Sequence, residues 1–97
     1  MLAPDAVSIA FTHKSQYTTG ANNDVTIIAD FTGLGPADEG RVVEIIGGGG
    51  DNPSVIAPNA AFVLRNDEEW TANSGSTLSL RVLDTTTLVE VNRVQTA

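Results

Sequence analysis

Residues 60–93 read AAFVLRNDEEWTANSGSTLSLRVLDTTTLVEVNR, and in their second half the apolar side chains recur at every second position. A period of two marks a strand with one buried face, because successive side chains on an extended backbone point to opposite sides. Thr77-Leu78-Ser79-Leu80-Arg81 carries that alternation, and Leu88-Val89-Glu90-Val91-Asn92-Arg93 supplies a partner across a Thr-rich turn. The block reads as a rigid β surface and not as a reaction centre.

The rest of the chain repeats the theme. Residues 6–12 (AVSIAFT) alternate Val7, Ile9 and Phe11 against Ser8, Ala10 and Thr12, and residues 25–31 (VTIIADF) are expected to turn Val25, Ile27, Ala29 and Phe31 inward. Residues 41–46 (RVVEII) are apolar on both faces except at Glu44, which predicts a central strand or one whose outer face meets a partner. Shorter strands are expected at 54–56 and 62–64. Residues 13–24 and 32–40 read as loops, and Gly47-Gly48-Gly49-Gly50-Asp51-Asn52-Pro53 reads as the most flexible segment of all. No stretch shows the i, i+3, i+4, i+7 pattern with caps, so helix is expected to be nearly absent. Many short strands between turn residues predict an all-β fold: a small antiparallel β-sandwich or jelly-roll-like barrel of seven or eight strands. One domain over 1–97 is expected, with residues 1–6 as an extended N-terminal arm.

Size limits what such a fold can bury. With 97 residues, a hydrophobic fraction of 41% and only 5% aromatics, the core must be assembled from Val, Ile, Leu and Ala. There is no cysteine, so no disulfide or thiolate–metal staple reinforces it. Small β domains without staples gain burial by oligomerising, which makes a homo-oligomer the expectation. The net charge of −7, with five Lys and Arg in total, argues against nucleic acid and against anionic membranes. No apolar run approaches the roughly 20 residues that span a bilayer. The opening Met1-Leu2-Ala3-Pro4-Asp5 has neither a basic region nor an apolar stretch, so a cytoplasmically made, complete product without a secretory signal is expected.

No chemistry emerges from the polar residues. His13 stands alone without a nucleophile motif and is expected at a strand end in solvent. The tetraglycine lacks the Lys-Ser/Thr and the following helix of a phosphate loop. The acidic pairs and triplet Asp38-Glu39, Asp51-Asn52 and Asp67-Glu68-Glu69 lack the spacing of a calcium loop and read as solvated loop charge. No catalytic residue, cofactor or metal is assigned, and the chain is not expected to be an enzyme. Trp70 is either an exposed hot spot for a partner or the plug that closes one end of the sandwich.

Several stretches together resemble a known group. Leu78-x-Leu80, a polar turn with Asp84, and the ending Leu88-Val89-Glu90-Val91-Asn92-Arg93 are similar to the closing hairpin of many phage virion proteins, which end close to W-x-E-x-x-R. Gly40-Arg41-Val42-Val43-Glu44-Ile45-Ile46 and Phe62-Val63-Leu64-Arg65-Asn66 match the order of strands upstream of it. The resemblance covers about residues 31–93. Leu88 stands where the Trp is usual, and the turn Asp84-Thr85-Thr86-Thr87 has no Gly. The resemblance implies a bacteriophage capsid decoration (cement) protein: a homotrimer on the outer surface of the major capsid protein, located on the virion. A receptor- or carbohydrate-binding knob of a head or tail fibre is the alternative, and the lack of a shaft before the domain favours decoration. The interface expected on this reading comprises Leu2, Ala3 and Pro4 of the arm, Val43 and Ile45 of the two-faced strand, and Trp70.

Overall fold

The computed structural model describes residues 1–96, and its regular secondary structure is almost all strand: β1 (Ser8–Ala10), β2 (Gln16–Thr18), β3 (Asp30–Thr32), β4 (Val42–Ile46), β5 (Val55–Ile56), β6 (Phe62–Val63), β7 (Trp70–Thr71), β8 (Thr77–Val82) and β9 (Leu88–Val94). The only helical elements among the described residues are 3-10 turns at Pro36–Asp38 and Arg65–Asp67. One sheet runs β2-β4-β8-β9-β6. Apart from it, β1 pairs with β3 and β5 with β7. Residues 26–28 connect these two pairs, since Val55 donates its N–H to Thr26 O and accepts from Ile28 N.

The sheets are mixed rather than antiparallel. β1/β3, β2/β4 and β6/β9 are parallel, while β4/β8, β8/β9 and β5/β7 are antiparallel. Each parallel pair joins segments far apart in sequence, which is what parallel pairing requires and what short-range alternation cannot reveal. For the same reason β2 and β7 escape the sequence reading. Gln16-Tyr17-Thr18 and Trp70-Thr71 are too short to show a period, and their partners are distant.

β4, β8 and β9 appear where alternation places them. Leu78, Leu80, Val82 and Leu88 are buried on the inner face, packed with Ile9, Ile28, Phe31, Ile45, Ile56, Phe62 and Trp70. Residues 25–31 depart from expectation in part: Val25, Ile27 and Ala29 are exposed and Ile28 is buried, while Phe31 is buried as expected. The segment changes partner midway, from Val55 to β1, and the side-chain parity slips at the change. The turn 84–86 needs no glycine, because the Asp84 carboxylate accepts from the N–H and the hydroxyl of Thr86 at 2.9 and 3.1 Å. That hydrogen bonding, led by the Thr86 amide, holds the Asp84 carboxyl below the usual aspartate range.

The glycine run is not a free loop. Gly47 N–H donates to Ser76 O at 2.8 Å, Gly48 N–H to Thr19 Oγ1 at 2.8 Å and Gly49 N–H to Ala72 O at 2.9 Å. A Cβ at Gly47 would collide with the Asn73 carbonyl oxygen, and one at Gly48 with that of Thr19. Glycine is present here so that three backbone segments can pass in contact.

Candidate interaction surface

The ending Glu90-x-x-Arg93 is the first place to look for organised chemistry, and a bulge creates it. Residues three apart on a regular strand face opposite sides. Here Ser79 pairs with Asn92 but Leu80 pairs with Glu90, so Val91 is an extra residue on β9. Glu90 therefore lies opposite Leu80 and Arg93 opposite Leu78, both on the inner face. Arg93 donates from Nε to Glu90 Oε2 at 3.0 Å and from Nη2 to Oε1 at 2.8 Å. The same guanidinium donates to Glu68 O and Glu69 O at 2.7 and 2.9 Å, and Glu90 Oε1 accepts from the Arg65 amide at 3.0 Å. The pair straps residues 65–69 over the end of β9. In that strap Asn66 and Asp67 adopt left-handed backbone, with φ of 57° and 52°. The Glu90 carboxyl is held below the usual glutamate range, chiefly by its bond from Arg93 and against the opposing pull of burial. All donors and acceptors go to backbone or to each other, so the arrangement is a clasp.

The outer face of the five-stranded sheet is organised differently. Val63, Val89, Arg81 and Val42 lie side by side across β6, β9, β8 and β4. Val42 and Val63 are each 48% exposed, and Leu83 just beyond β8 is 51% exposed. A polar row follows, with Gln16, Glu44, Ser79 and Asn92 in register, and then a second apolar row of Ile46, Thr77 and Val94. Among the described residues Arg81 has no ion pair, whereas Arg41, Arg65 and Arg93 are engaged with Asp38, Val91 O and Glu90. The face thus combines apolar side chains with one uncommitted cation on a rigid ladder.

The expected interface residues divide. Val43, Ile45 and Trp70 are fully buried within this chain, with Trp70 Nε1 donating to Val94 O at 3.3 Å, and so they offer no surface to a partner. On β4 the two faces are the reverse of the interface expectation: Val42 is outward and Val43 is core. Residues 1–6 are not a free extended arm. Leu2 N–H donates to Thr18 O at 2.7 Å and Leu2 packs on the core, while Ala3 and Pro4 are exposed. Asp5 turns with φ of 61° and accepts from Asn23 N and Nδ2 at 2.8 and 2.9 Å. The Asn23 side-chain bond, first, keeps the Asp5 carboxyl below its usual range.

His13 is exposed and sits edge-on to Phe11 at 4.9 Å between ring centroids. The acidic clusters stay apart, and among the described residues no group of three or more His, Cys, Asp or Glu side chains is placed to hold a metal ion. Two shallow clefts open on the surface. One of about 460 Å³ lies between β3, Ala60-Ala61 and the Thr85-Thr86 turn; the other, about 310 Å³, lies between Leu2, Ala10, Gln16 and Thr18. Among the described residues no helix is long and apolar enough to cross a membrane.

No protein-family model, curated protein or solved structure matches this chain.

Proposed function

We propose that this chain is a bacteriophage capsid decoration (cement) protein, a homotrimer that binds the outer surface of the major capsid protein lattice and stabilises the expanded head. The reading takes the two β layers as a sandwich, with β2-β4-β8-β9-β6 on one side and β1, β3, β5 and β7 on the other. The observation that carries it is the outward sheet face, where Val42, Val89 and Val63 flank Arg81, which has no ion pair among the described residues. A half-apolar sheet face with one cation suits a large protein contact better than it suits a small ligand. Val42 and Val63 take over the interface role expected of Val43 and Ile45. Binding by many copies stabilises the assembled shell by mass action, and the net charge of −7 keeps free copies apart in solution.

The test is cosedimentation with expanded capsids, alongside a light-scattering mass of the free protein. A trimer that cosediments, and that stops doing so in Val42→Asp/Val63→Asp without a change in melting behaviour, supports the reading. A stable monomer that ignores expanded capsids overturns it.

A further inference from the structure

An exposed strand edge is a template for another strand, and folded proteins cover such edges or guard them with charge, Pro or bulges. Two of the edges in this molecule are covered by the chain itself, and a third, that of β2, is covered at one group. On β7, Thr71 N–H donates to Gln95 Oε1 at 2.8 Å and Thr71 O accepts from Gln95 Nε2 at 2.9 Å, so one carboxamide imitates a neighbouring strand. On β6, Phe62 N–H donates to Asn59 Oδ1 at 2.8 Å and Phe62 O accepts from Asn59 N at 3.1 Å. On β2, Thr18 O is taken by Leu2 N.

β1 is treated differently. Its bonds to the neighbouring segment use Val7 O and Phe11 N, so the alternation turns the N–H and C=O of Ser8 and Ala10 the other way. Among the described residues nothing pairs with them, and both residues are exposed. No guard stands there either. Residues 6–12 contain no charge and no proline, in a chain that carries −7 overall; the nearby charges are Asp30, beside Ser8 on β3, and Lys14, at the cleft next to Ala10.

We propose that the free edge of β1 pairs with the same edge of a second copy, antiparallel about a two-fold axis, with Ser8 of one copy opposite Ala10 of the other. Two copies of this acidic protein repel each other, and residues 6–12 bring no charge of their own to the contact. The facing side chains are small, which favours close approach, and the space beside Ala10 is a cleft bordered by Leu2, Gln16 and Thr18. A symmetric contact uses one patch on both copies, and the β1 edge meets itself under that operation. Three residues per copy make a short ladder, so the pairing is weak and gains weight where copies are already crowded. It goes beyond the trimer reading, because it joins whatever unit exists two by two.

Sedimentation equilibrium over a wide concentration range tests the proposal. The wild-type mass is expected to double on concentration, from monomer to dimer or from trimer to hexamer. Ala10→Pro removes an outward N–H that the β1/β3 ladder does not use, and it should abolish the doubling. Ser8→Lys/Ala10→Lys, which sets like charges opposite one another, should do the same by a different route. Unchanged Trp70 fluorescence certifies the fold of each variant. A mass that never doubles, or doubling that survives both variants, overturns the β1 pairing. A trimer that never doubles defeats the pairing and leaves the trimer reading standing. Doubling of a monomer supports the pairing and defeats the trimer.

Discussion

This chain contains two acid–arginine pairs of identical spacing, Asp38/Arg41 and Glu90/Arg93, and they do different work. Asp38 ends a 3-10 turn and Arg41 closes the next turn, its N–H donating to Asp38 O at 3.0 Å, so a separation of three brings the side chains together without special arrangement. Their contact is single, Arg41 Nε to Asp38 Oδ1 at 3.4 Å, and the arginine side chain is 45% exposed. Glu90 and Arg93 lie on a strand, where the same separation should part them, and only the extra residue Val91 reunites them. Their contact is bidentate, and the glutamate side chain is 2% exposed. Water screens the first pair more than the second, in which the arginine side chain is 19% exposed. Spacing alone therefore says nothing about strength; the backbone geometry and the cover above it decide.

Deleting Val91 should break the contrast most severely. Without the bulge Arg93 turns outward, the strap loses its anchor, and Gln95 is drawn away from Thr71. The expected loss is at least the about 3–5 kcal/mol of a broken buried pair, read by urea denaturation. Arg93→Ala keeps the bulge and removes the cation, and about 3 kcal/mol should go, with residues 65–69 losing amide-exchange protection first. A loss under about 1 kcal/mol would place this pair in the class of surface bridges.

Glu90→Gln sharpens the comparison through pH. The folded-state pKa of Glu90 lies below its ordinary value of 4.5. Its contribution is therefore fully present above that value and is lost as pH falls through the folded-state pKa. Wild-type stability should decline with acid from about pH 4.5 downward, and the Gln variant should decline less steeply over that window. Equal acid slopes in the two proteins would show that Glu90 carries no linkage. At the small end, Arg41→Ala should cost about 1 kcal/mol or less, combining a screened bridge with the loss of its position 5.4 Å over the Phe11 ring. A cost near that of Arg93→Ala would erase the distinction between the pairs.

How far each region could be read in advance follows the same division. Leu78, Leu80, Val82 and Leu88 show their inward face in the sequence, because a strand of six or seven residues displays its period. Residues 25–31 show a clean period too, yet Ile27 ends up outside, because the segment serves two partners in turn. Trp70 was open to two fates, and the core claimed it. The tetraglycine suggests mobility by composition, whereas the close approach of Thr19 and Ala72–Asn73 is what demands glycine at Gly47 and Gly48. On the candidate surface, the signal for Val42 and Val63 was present as apolar residues on the second face of their strands. Which face looked outward was not legible, since it depends on what lies across the core.

By itself the sequence determined that this chain folds as strands with almost no helix and presents an acidic surface, because alternation, turn residues and charge are local properties. Tertiary structure decided the parallel pairings, the bulge that joins Glu90 to Arg93, the covering of β6 and β7, and the exposure of β1. Except for the cover of β6, where Asn59 stands three residues before Phe62, these depend on residues distant in the chain arriving at one place, and no local pattern encodes that arrival.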